Sequence, residues 1–170
     1  MIAYRDATPA DAALLADLFA RSFTETFGPL YKPEDLAAFL ERAGADAWVG
    51  ELADPALAVR IADDQGEAVG FAKLGPVSLP VTPAGPAVEL RQLYILKPWH
   101  GLGIAQELMR WTFDRARAQG ARELYLSVYV DNHRARRLYE RYGFTFVAPY
   151  AFMVGAQADE DHIMRLALED

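Results

Sequence analysis

The 170-residue sequence contains no cysteine, which excludes a disulfide framework, a thiolate metal site and a cysteine nucleophile together. It is also short of positive charge. Seventeen Lys and Arg face 24 Asp and Glu, a formal net charge of -7. A general nucleic-acid binder needs clustered cations to neutralise phosphates, so that class is set aside. Only three histidines occur, and they are scattered, so no metal is expected. No apolar run approaches the roughly 20 residues that span a bilayer. The opening stretch, MIAYRDATPADAALL, places acids where a secretory leader needs positive charge. The expectation is a cytoplasmic protein with no membrane and no nucleic-acid partner.

What is present is apolar content. At 52% hydrophobic residues the chain can fill one core, so residues 1–170 are expected to form a single domain. Ile2 to Arg5 reads as a strand, and Thr8-Pro9 as a helix start ahead of Leu14, Leu15, Leu18, Phe19 and Phe23 at helical spacing. Gly28-Pro29 breaks that helix and Pro33-Glu34 opens a second one. Leu57–Ala62 and Ala68–Leu74 flank Asp63-Asp64-Gln65-Gly66 as a hairpin, and the proline-rich stretch Gly75–Pro86 reads as a surface loop. Strands at Val88–Leu96 and Leu124–Val130, helices at Ile104–Gln119 and His133–Tyr142, and late strands near Thr145–Phe152 and His162–Leu168 complete the order β-α-α-β-β-β-α-β-α-β-β. That order implies a layered α/β fold with a mixed sheet covered by helices.

Two segments carry chemistry. In ELRQLYILKPWHGLGIAQELM a strand passes through a glycine turn into a helix, which aims free backbone N–H groups and the positive end of a helix dipole at one point. A pyrophosphate suits that point. Gly101 and Gly103 let the backbone approach its oxygens, and Ala105 keeps the first helical turn small. The Walker loop does not fit, because Ile104-Ala105 stands where lysine and a hydroxyl are needed. A dinucleotide fold fits poorly: Gln106 replaces the third glycine, and about forty residues after Asp131 are too few to finish a doubly wound sheet. In LYLSVYVDNHRARRLYERYGFTFV, Asn132 can cap a helix whose Tyr139 is either a packed aromatic or a phenol turned into a cleft. Such a phenol can protonate a leaving thiolate.

Together, His100-Gly101-Leu102-Gly103-Ile104-Ala105 and the pattern Asn132, Ala135, Tyr139, Gly143, Phe144 resemble the GNAT superfamily of acetyl-CoA-dependent N-acetyltransferases over Glu89–Phe144. FTETFGPLYKPEDL and FMVGAQADEDHIM extend the likeness toward the bacterial Pai-type spermidine/spermine N-acetyltransferases. The resemblance implies an α/β fold with a mixed, mostly antiparallel central sheet, two splayed parallel strands and flanking helices. It implies acetyl-CoA as cosubstrate, its pantetheine arm lying between those strands along Leu93, Tyr94 and Ile95. The pyrophosphate would meet His100, Gly101, Leu102, Gly103, Ile104, Ala105 and Gln106, and Asn132 would also contact the cofactor. His100 departs from the Arg or Gln usual at its position. When neutral it offers a single hydrogen bond, so backbone amides should carry most of the binding.

The resemblance further implies direct attack by an amine, with Tyr139 as general acid to the CoA thiolate. Glu89 is the expected base from its place on the cofactor strand, a solvated edge carboxylate being the other reading of it. The expected partner is a small-molecule amine acceptor, polyamines first, with a homodimer allowed. A peptide or protein amine, a CoA sensor without turnover, and an unrelated nucleotide-binding module are the competing readings.

Overall fold

The computed structural model describes residues 1–169. Seven strands form one sheet in the order β1-β2-β3-β4-β5-β7-β6. They are β1 (Ile2–Asp6), β2 (Ala58–Asp64), β3 (Glu67–Gly75), β4 (Ala87–Ile95), β5 (Glu123–Tyr129), β6 (Thr145–Val154) and β7 (Gln157–Ala167). Every neighbouring pair is antiparallel except β4 with β5. The β2–β3 hairpin turns where the sequence predicts it. Gln65 and Gly66 both adopt positive φ, as a tight hairpin turn of matching twist requires, and the Gly66 amide donates to Asp63 Oδ1 at 2.6 Å.

Five helices cover the two faces: α1 (Ala12–Phe27), α2 (Pro33–Arg42), α3 (Ala45–Ala53), α4 (Ile104–Ala118) and α5 (His133–Arg141). Leu15, Leu18, Phe19 and Phe23 of α1 recur at three- and four-residue intervals and bury against Ile61 and Phe71, with Trp48 of α3 closing that core. The opposite face buries Leu108, Met109 and Ala116 of α4 and Tyr139 of α5 against Val69, Leu74, Leu124 and Leu126. The sequence reading found two early helices and missed α3, which has no side-chain cap to announce it. It also began β7 at His162, whereas the strand starts at Gln157.

Two irregularities at the sheet centre prepare the site. Lys73 pairs with Gln92 but Leu74 pairs with Leu90, leaving Arg91 as an extra residue in β4. This bulge switches the alternation: Val88 and Leu90 before it, and Leu93 and Ile95 after it, all join the α4 core, while Tyr94 turns to the α1 core. The parallel pairing of β4 and β5 then covers only Ala87–Glu89 against Glu123–Tyr125. Beyond that the strands part.

Candidate active site

Where β4 and β5 diverge, the edge of β4 from Leu90 onward faces β5 without ladder partners, although it lies inside the sheet. Unpaired backbone N–H and C=O groups at such a place call for a ligand or water to complete them. The gap is a cleft of about 470 Å3. Leu93, Tyr94 and Ile95 line one wall, Ser127, Val128 and Tyr129 the other, and Tyr139 and Asn132 reach it from α5.

At one end of the cleft lies the glycine turn. Gly101 and Gly103 have φ of 80° and 84°, a left-handed conformation that side chains disfavour. The first helical hydrogen bond of α4 runs from the Glu107 amide to the Gly103 carbonyl, so the amides of Ile104, Ala105 and Gln106 precede it and lack intrahelical acceptors. Gly101, Gly103, Ile104, Ala105 and Gln106 all line the cleft. The turn therefore presents a neutral backbone cradle for an anion, reinforced by the helix dipole. Leu102 differs from its expected place: its side chain is 61% exposed and does not line the cleft. His100 lines the cleft, but its Nε2 donates to the Ile95 carbonyl at 2.7 Å, so this nitrogen closes the turn instead of facing a phosphate. Arg134, Arg137 and Arg141 stand at successive turns of α5 along the same cleft, and none is in an ion pair among the described residues.

Tyr139 is 7% exposed, lines the cleft, and its hydroxyl has no hydrogen-bond partner among the described residues. Burial raises its pKa well above that of an ordinary phenol, which keeps the proton in place at any working pH. Asn132 caps α5 by accepting from the Ala135 amide at 3.3 Å while also lining the cleft.

Glu89 is a correction. It is 6% exposed but lies in the stretch where β4 and β5 are still paired, so no cleft opens beside it. The proline-rich loop folds over its carboxylate, which accepts from the Ser78 amide at 2.8 Å, the Ser78 hydroxyl at 3.0 Å and the Leu79 amide at 3.3 Å. It is not a solvated edge carboxylate, and it does not line the cleft. It pins a loop.

The acids that do reach the cleft are Asp159 and Asp161 on β7. Sequence reading passed over them because DEDH looks like a solvated run of charge. The available signal was the alternation Asp159, Asp161, Ile163, which puts both acids on the face of a buried Ile163. Burial, then the neighbouring Asp159 charge, raises the Asp161 carboxyl to about 6, with a hydrogen bond from Ser127 opposing the rise. Among the described residues no group of three or more His, Cys, Asp and Glu side chains is arranged to hold a metal ion.

A cleft between parting strands, lined by a backbone anion cradle, the Tyr139 phenol and two acids, suits group transfer from a long thioester with a phosphate tail. The protein is thus of the acyltransferase class. Comparison with known proteins specifies it further. Residues 13–144 match the acetyltransferase (GNAT) family. An uncharacterized N-acetyltransferase of Mycobacterium tuberculosis is 34% identical over 155 residues, 91% of this chain and 96% of that protein. The aminoalkylphosphonate N-acetyltransferase of Salmonella typhimurium is 31% identical over 103 residues, 61% of this chain and 66% of that one. The crystal structure of PaiA N-acetyltransferase from Thermoplasma acidophilum, solved with coenzyme A, superposes with a TM-score of 0.80 over 98% of this chain and 99% of that chain at 19% identity. The chain belongs to the GNAT family of acetyltransferases, enzymes that draw the acetyl group from acetyl-CoA.

Proposed function

We propose that the protein transfers acetyl from acetyl-CoA to a primary amine of a small cationic molecule, with polyamines such as spermidine the preferred acceptors, by direct attack in a ternary complex. The observation that carries this is the unpaired β4 edge, with a backbone anion cradle and two carboxylates among the groups that line its cleft. In this reading the pantetheine amides complete the ladder along Leu93, Tyr94 and Ile95. A backbone N–H in that stretch polarises the thioester carbonyl. The pyrophosphate lies on the amides of Gly101 to Gln106, beside His100 and Asn132. The carboxylates favour a cationic acceptor over one that carries an anion next to its amine, as an aminoalkylphosphonate does.

The three unpaired arginines of α5 are placed to meet a further phosphate, the 3′-phosphate that distinguishes CoA. By calorimetry acetyl-CoA and CoA should bind, NAD and ATP should not, and 3′-dephospho-CoA should bind about tenfold more weakly than CoA, the loss of one charge-assisted contact. Equal binding of CoA and its dephospho form removes the arginines from the assignment. Failure of CoA itself to bind ends the acetyltransferase reading.

Glu89→Gln separates structure from catalysis. The substitution weakens three hydrogen bonds to a carboxylate and should lower unfolding stability by roughly 1–3 kcal/mol in denaturant titration. Turnover of the folded variant with acetyl-CoA and spermidine should match the wild type. A collapse of turnover with unchanged stability restores Glu89 as the base.

A further inference from the structure

We propose that Asp159 and Asp161 form the ammonium site of the acceptor and that Asp161 is the base for the attacking amine. This rests on the acetyltransferase reading above. Asp161 and Asp159 are 7% and 8% exposed and line the cleft, and neither has an ion-pair partner among the described residues. Two buried carboxylates without a protein cation are costly, and a bound cation removes that cost. Groups on other elements also await a ligand. Tyr139 turns its hydroxyl toward the cleft from α5 with no hydrogen-bond partner among the described residues, and Gln92 of β4 lines the cleft with a buried Oε1 that accepts from nothing there.

The two acids are not equivalent. Asp159 accepts from the Tyr31 hydroxyl and, at 2.9 Å, from Gln157 Nε2, which fixes its orientation. Asp161 stands opposite Tyr129 of β5 and Tyr150 of β6, with Ser127 of β5 nearby. Its charge is felt by Tyr31, which follows α1, by Tyr94 of β4 and by Tyr129. Among the described residues, the neighbouring charge acting on Asp161 is that of Asp159. The carboxyl held at about 6 is charged at pH 7 yet more basic than an ordinary aspartate. Residues two apart on a strand stand about 7 Å apart on one face. That separation suits the two ends of a short diamine unit, one at each acid.

The chemistry balances. The acceptor ammonium gives a proton to the Asp161 carboxylate. The freed nitrogen lone pair forms the N–C bond to the thioester carbonyl, and collapse of the adduct breaks the C–S bond. The CoA thiolate takes the Tyr139 proton. The second proton shed by nitrogen returns through water to the tyrosinate, and Asp161 releases its proton to solvent. The net products are an acetamide, CoA and one proton.

The test uses Asp161→Asn and Asp159→Asn with CoA and spermidine as probes. Calorimetry on CoA-saturated protein should show spermidine binding to the wild type and at least tenfold weaker binding to each variant. Asp161→Asn should lower kcat/KM for spermidine at pH 7 by roughly 10²–10⁴-fold, with acetyl-CoA affinity unchanged and a deficit that shrinks as pH rises and free amine accumulates. The acid limb of the wild-type profile, centred near pH 6, should vanish in this variant. Asp159→Asn should raise KM for spermidine while changing kcat little.

Stability controls for misfolding. A carboxyl whose native value lies above its unfolded one opposes folding once charged, a loss that develops between about pH 4 and pH 6. Asp161→Asn should therefore melt higher than the wild type at pH 8, and the gain should fade toward pH 4. Wild-type protein that binds CoA but not spermidine overturns the proposal without touching the family reading. So does an Asp161→Asn enzyme that keeps its turnover and its acid limb.

Discussion

Tyr139→Phe is expected to cut turnover by roughly 10²–10⁴-fold, the range a positioned general acid supplies, and to leave acetyl-CoA affinity nearly unchanged. The ring is part of the α4 core and packs edge-on against Phe144 at 5.7 Å, so retaining it preserves the fold. The hydroxyl has no hydrogen-bond partner among the described residues, so its removal orphans none of their groups. Binding should survive because the proton is needed only as the C–S bond breaks, which makes this an interaction of the transition state and not of the ground state. Pre-steady-state measurement of thiol release, with calorimetry of acetyl-CoA on the same protein, reads both quantities. Normal release would assign the proton to water or to Tyr142, which stands apart, its ring edge-on to Phe113 at 5.2 Å. Loss of affinity alone would make Tyr139 a binding residue.

The glycine turn and the cleft-facing side of α5 were legible from sequence because they are made by local geometry. A glycine turn feeding a helix fixes which amides are free, and the spacing from Asn132 to Phe144 fixes which face of α5 meets the sheet. The two acids that line the cleft were not legible, for they are placed by strand registry. Asp161 enters the cleft through its pairing with Tyr129 and Tyr150, residues 32 and 11 positions away in sequence, as their numbers give. The alternation Asp159, Asp161, Ile163 puts both acids on one face but does not say that the face opens on a cleft, and aspartate has poor strand propensity, so β7 was begun too late. Glu89 failed in the opposite way. Its strand was right, but strict alternation says nothing of where the parallel pairing ends or of the Arg91 bulge beyond it. The loop that covers Glu89, read from its prolines as mere surface, is what occupies the carboxylate.

Gly103→Val is the second large effect, and two consequences of the substitution must be separated. Gly103 has φ of 84°, so any β-branched residue there is strained, by roughly 1–2 kcal/mol. A Cβ built at Gly103 meets no protein atom within 4 Å, so no clash inside the protein adds to that strain. The open space around it is cleft, where in the proposed complex pyrophosphate oxygens must come up to the backbone. Valine should therefore weaken CoA binding at least tenfold besides lowering stability. Gly120, just past the other end of α4, supplies the control: its φ is 79°, a Cβ there also meets nothing within 4 Å, and it does not line the cleft. Gly120→Val should lose comparable stability by thermal unfolding and retain wild-type CoA affinity by calorimetry, while Gly103→Val loses both. If the two variants bind CoA alike, the deficit at Gly103 is backbone strain alone and the phosphate does not lie on this turn.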